Sequence, residues 1–104
     1  MKRFLLLLLT LALLLPLVSG VEPSPIEKAQ KRGVDIGEQF LEGEITAKEA
    51  KEMLESIKVP ETEGYGKDYL EGDIAYLHLL ISKQDATYED IQEKIEYIKN
   101  RKYE

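Results

Sequence analysis

Cysteine and tryptophan are missing from the chain, and histidine occurs once, as His78. The first absence excludes disulfides and every thiolate metal site, the usual staples of a small domain outside the reducing cytosol. A single histidine leaves no pair for zinc or di-iron chemistry, and no Glu-x-x-His motif exists because position 75 is alanine. Gly-rich phosphate loops and EF-hand strings are absent as well. Phenylalanine occurs only twice, so six tyrosines carry the aromatic content. Stability therefore has to come from regular helix packing, from oligomerisation or from a partner.

Positive charge is the other shortage. Fourteen Lys and Arg stand against 20 Asp and Glu, for a net charge of −6. An acidic surface opposes non-specific binding to nucleic acid and to anionic lipid, so nucleic acid is not expected as a partner. It also excludes a cationic membrane-lytic helix.

What is present begins at the N-terminus. Lys2 and Arg3 precede an apolar run from Phe4 to Leu15 broken only by Thr10, then Pro16 and the small pair Ser19 and Gly20. This is the layout of a secretory signal peptide over residues 1–20, with Val18 and Gly20 at the small-residue subsites of a signal peptidase. The alternative is an uncleaved N-terminal anchor. Phe4 to Val21 just reaches the lower limit of about 18 apolar residues for a spanning helix. Either reading sends residues 21–104 across a membrane, and cleavage removes two cations from an already acidic chain. Residues 21–25 (VEPSP) read as an extended spacer, and residues 26–104 as one small helical domain.

Caps and apolar spacing predict four helices. Ser24 before Pro25 starts the first, over residues 25–42, with Ile26, Ala29, Gly33, Ile36, Gly37, Phe40 and Leu41 on one face and Gly43 as its stop. Thr46 and Glu49 form a capping box for the second, over residues 46–58, with Ile45 and Ala50 as a hydrophobic staple. Its stripe is Ala47, Ala50, Met53, Leu54 and Ile57, and Pro60 ends it. A polar connection (VPETEGYG) leads to the third, over residues 67–83. Leu70, Ile74, Leu77 and Ile81 form its stripe, Tyr69, Tyr76 and Leu80 widen it, and Ala75 with Leu79 lies on the far side. Such a helix is apolar nearly all round and is expected at the centre. Thr87 and Asp90 open the fourth, over residues 87–102, with Tyr88, Ile91, Ile95 and Ile98 in register and fraying expected near Tyr103.

The predicted fold is all-α, a small four-helix bundle of two antiparallel hairpins with the third helix as hub. TAKEAKEMLESIK aligns with TYEDIQEKIEYIK, matching Thr46 with Thr87 and Ile57 with Ile98. Duplication of one hairpin explains this, and so does shared capping and periodicity. The turn formed by Gly43, Ile45, Thr46 and Glu49 resembles that of short helical-hairpin modules such as the SHOCT domain. The resemblance spans one turn and one cap and implies no function.

Candidate sites are few. Ala29, Gly33 and Gly37 form a small-residue groove, expected to be filled internally by the third helix. His78 borders the apolar stripe and is expected to be a packed or surface residue. Lys94, Lys99, Arg101 and Lys102, with Tyr97 and Tyr103, place cations where they complement a helix C-terminus. Tyr65, Tyr69 and Tyr76, with Asp73 between them, are the leading partner-binding residues, since tyrosine suits interfaces. No catalytic, cofactor-binding or metal-ligating residue is predicted. The expected function is that of an exported, non-enzymatic module that binds a protein partner or forms a homo-oligomer. Membrane association is expected only if the N-terminal segment is retained, giving a tethered accessory subunit.

Overall fold

Three helices start on the same device. The hydroxyls of Ser24, Thr46 and Thr87 accept the backbone N–H three residues on, and Glu27, Glu49 and Asp90 return the favour by accepting the cap residue's own N–H. In the computed structural model, which describes residues 23–103, these boxes open α1 (Pro25–Leu41), α2 (Ala47–Glu55) and α4 (Tyr88–Asn100). The Thr46 backbone N–H, and after it the Thr46 side chain, hold the Glu49 carboxyl below its ordinary value. The remaining helix, α3 (Gly66–Ser82), has no side-chain cap on Tyr65. Thr62 serves instead, accepting from the Lys67 N–H and donating to the Gly64 carbonyl. The described residues are all-helical, with no strand. The signal or anchor expected over residues 1–20 lies outside them.

The helix ends follow local chemistry. Gly43 takes φ +77, a left-handed conformation that glycine adopts without strain. Its N–H donates to Phe40 and that of Glu44 to Gln39, a Schellman closure of α1. The second helix is shorter than the 46–58 expected, ending at Glu55. The Ser56 hydroxyl donates to the Met53 carbonyl and the Ile57 N–H to Leu54, which tightens the last turn. Pro60 then keeps Val59 out of the helical region, and the departing chain lays Ile57 and Val59 on the core.

Fraying near Tyr103 is corrected. Arg101 turns extended at ψ 143, and the chain folds back so that Tyr103 is only 3% exposed. It joins one apolar cluster drawn from every helix, in which Ile36, Leu70, Leu77, Ile95 and Ile98 are the largest fully buried side chains. Burying each is worth about 1.5–3 kcal/mol.

The third helix is not the sole hub. Both α1 and α3 touch all the other helices, whereas α2 and α4 do not meet. The most extensive contact is α1 on α4, and glycine explains it. A Cβ at Gly37 would lie 2.7 Å from Ile95 of α4, so that helix rather than α3 chiefly fills this part of the groove. At Gly33 a Cβ would meet Ile74 of α3 at an ordinary 3.5 Å. Nor is α3 covered all round: Ala75 is exposed, and Tyr69, Tyr76 and Leu79 are about half exposed. No helix among the described residues is long and apolar enough to cross a membrane.

Candidate functional site

Asp73 interrupts the apolar stripe of α3, one turn from Leu70 and Leu77, and is buried. An ionised carboxylate in such a place needs donors, because burial strips it of water. It has three. Lys94 Nζ of α4 lies 2.8 Å from Oδ1, while the Tyr103 hydroxyl donates to Oδ2 at 2.6 Å and Arg101 Nη1 at 3.2 Å. Burial first, and Asp73 second, pushes the Tyr103 phenol well above its ordinary value, so it stays protonated and remains a donor.

The tail that delivers Arg101 and Tyr103 is itself fastened twice. Gln30 of α1 donates its amide to the carbonyls of Ile98 at 2.6 Å and Arg101 at 2.7 Å. These are groups that a helix C-terminus leaves without intrahelical partners. At Gly66 the Tyr103 carbonyl comes so close that a Cβ would overlap it. Only glycine fits there. Gly66 also starts α3, so the first turn of one helix forms the seat for the end of the chain's last one.

Around this buried centre the tyrosines and cations alternate. Tyr65 and Tyr69 have ring centroids 6.2 Å apart, and Arg101 sits 4.6 Å from the Tyr69 centroid. Arg101 also donates to the Tyr97 hydroxyl at 2.7 Å. Lys94 then lies 4.4 Å from the Tyr97 ring and 5.0 Å from Tyr76. The order Tyr65, Tyr69, Arg101, Tyr97, Lys94, Tyr76 makes a ladder across α3 and α4, each cation held over ring faces. The outer rings are open to solvent, Tyr65 most of all at 72%.

The four residues expected to form a binding patch therefore come together, but Asp73 lies beneath the tyrosines rather than between them at the surface. Lys94, Tyr97, Arg101 and Tyr103, expected only to complement a helix end, complete the site. The available signal was Asp73 itself. A carboxylate inside an apolar stripe requires a cation, and Lys94, Tyr97 and Arg101 recur on one face of the last helix. Of the remaining basic residues, Lys99 lies 3.9 Å from Glu38 and Lys102 is exposed.

His78 stands apart, on the opposite flank of α3. Its Nε2 lies 3.0 Å from Glu55 Oε1 at the end of α2, above a groove lined by Leu54, Ile57, Val59 and Ile74. The neighbouring hydroxyls are engaged elsewhere, Ser56 donating to Met53 and Ser82 to the His78 carbonyl. Among the described residues no three histidine or carboxylate side chains converge to hold a metal ion. The ladder presents ring faces and phenol hydroxyls to solvent, with both cations already engaged by Asp73.

Comparison of the chain with protein-family models, with curated proteins and with solved structures finds no match to any of them.

Proposed function

We propose that the chain is an exported, non-enzymatic helical module that binds a protein partner through the ladder of Tyr65, Tyr69, Tyr97 and Tyr76. The observation that carries this reading is that Lys94 and Arg101, both held by the buried Asp73, lie over the half-exposed rings of Tyr69, Tyr76 and Tyr97. Interfaces favour aromatic groups that lose little conformational freedom on binding, and here the Asp73 centre has already ordered Lys94 and Arg101 against them. The two helix pairs are read as antiparallel hairpins, α1 with α2 and α3 with α4, in keeping with the short connections after Leu41 and Ser82. Export rests on the order of charge, apolar run and small residues over 1–20.

The test uses the full chain expressed in a host that exports it. Intact-mass measurement should find a protein beginning at Val21, and a retained Met1 would instead support the tethered accessory subunit. Cross-linked complexes from that host should include a discrete partner that disappears in Tyr65→Ser/Tyr69→Ser, whose circular dichroism stays unchanged. Equal capture by the wild type and this variant overturns the reading.

A further inference from the structure

We propose that a second copy of the chain docks on the outer face of α3, helix against helix and antiparallel, centred between Ala75 and Tyr76. The inference rests on the reading of the chain as an association module; its face adjoins the ladder and shares Tyr76 with it, but does not use Tyr65 or Tyr69.

The third helix is the most apolar of the described helices, yet its outer side is left open. Gly72, Ala75, Leu79 and Ser82 fall on one exposed face at helical spacing, with Tyr76 at its border and Leu79 47% exposed. Elsewhere the exposed faces are charged, as with Lys28, Lys31 and Arg32 on α1 or Glu89, Glu93 and Glu96 on α4. Along the middle of the α3 face charge returns only at its two ends, with exposed Glu71 on the flank beside Ala75. Asp68 closes the N-terminal end and Lys83 the C-terminal end, both exposed and neither in an ion pair among the described residues.

That pattern is self-complementary in one orientation. Asp68 and Lys83 stand equally far from the midpoint between Ala75 and Tyr76, and so do Gly72 and Leu79. An antiparallel two-fold at that midpoint brings Asp68 to the second copy's Lys83, Gly72 to its Leu79 and Ala75 to its Tyr76. Each contact then occurs twice. Opposite charges meet, and a large side chain meets a small one. A Cβ at Gly72 would find nothing within 4 Å, so the space above it is free to receive Leu79 of the second copy. A parallel pairing would instead set Asp68 on Asp68 and Leu79 on Leu79. Against the roughly 1,200–2,000 Å² of a standard interface, one helix face on another is a small contact, so the dimer is expected to be reversible and to form at high concentration.

Sedimentation equilibrium of the exported full chain, carried to millimolar concentration, reads the association directly. The wild type is expected to dimerise, and Leu79→Glu and Gly72→Leu should each weaken dimerisation at least about tenfold. Both positions are exposed, so circular dichroism should be unchanged in both. Asp68→Lys and Lys83→Asp should each weaken it by about tenfold, and the two together should restore it, since exposed pairs contribute modestly but symmetry counts them twice. A chain monomeric at every concentration, a dimer indifferent to Leu79→Glu, or charge reversals that fail to rescue one another would overturn the proposal. The two readings fail separately. A monomer that still captures a partner through Tyr65 and Tyr69 sinks the dimer alone, and a dimer without a captured partner sinks only the ladder.

Discussion

Two polar ties join α3 to its neighbours: on its α4 flank a buried acid with three donors, and on its α2 flank one exposed acid–imidazole pair set over apolar packing. The distances are nearly equal, 2.8 Å for Lys94 to Asp73 and 3.0 Å for His78 to Glu55. The surroundings are not. Asp73 and Lys94 keep 12% and 15% of their side-chain surface, whereas Glu55 keeps 66%. Water screens the second pair, leaving it about 0–1 kcal/mol. It reaches the first far less, and there removing Asp73 leaves Lys94 and Arg101 charged and unmatched. Separation alone does not rank these contacts; access of solvent does.

The comparison can be broken most forcefully at its centre. Asp73→Ala should cost about 2–4 kcal/mol in chemical denaturation, a little under the full price of a buried pair because Arg101 stays partly exposed. A loss below 1 kcal/mol would show that the α4 flank is no firmer than the other. Next comes Gly66→Ala, which adds no charge but drives a methyl group into the Tyr103 carbonyl. We expect about 2–3 kcal/mol from lost tail packing, with faster proteolysis after Asn100, and a tail that stays protected would refute the seat described for it.

Tyr103→Phe sharpens the comparison by deleting one donor and nothing else. At neutral pH it should cost about 1–2 kcal/mol, the worth of a hydrogen bond to a charged group less relaxation. Its pH dependence has a fixed sign. The folded phenol holds its proton above the ordinary value of 10.0, so the bond stabilises the fold fully below that pH and is lost as pH rises above it. The gap between wild type and Tyr103→Phe should therefore narrow in alkali, and a gap that widens would contradict the assignment. Smallest of all, Glu55→Ala should change stability by less than about 0.5 kcal/mol. A double-mutant cycle of Glu55 with His78 should show correspondingly weak coupling beside that of Asp73 with Lys94.

Much of the fold was legible because its signals are local. Thr46 with Glu49 and Thr87 with Asp90 are caps written within four residues, and the stripe of Leu70, Ile74, Leu77 and Ile81 is pure helical spacing. Gly43 as a stop is equally local. Expectations failed where the deciding partner is distant in the chain. Nothing near Tyr103 marks it for burial; Gly66 and Asp73, from another helix, do that. Ala75 and Leu79 read as covered because spacing counts apolar residues but not neighbours. Of the site, Tyr65, Tyr69, Tyr76 and Asp73 could be placed together from one helix and its entry loop. Lys94 on α4 and Arg101 just beyond it share a spacing that marks one face, but pairing them with Asp73 needs the packing of two helices.

Gln30 has one further implication, for how the molecule would age. Its amide nitrogen donates only to backbone carbonyls, which cannot donate in return to an acid in its place. Hydrolysis of that amide to glutamate would turn a clasp into a repulsive anion at the negative end of a helix, and loosening should begin at residues 101–103.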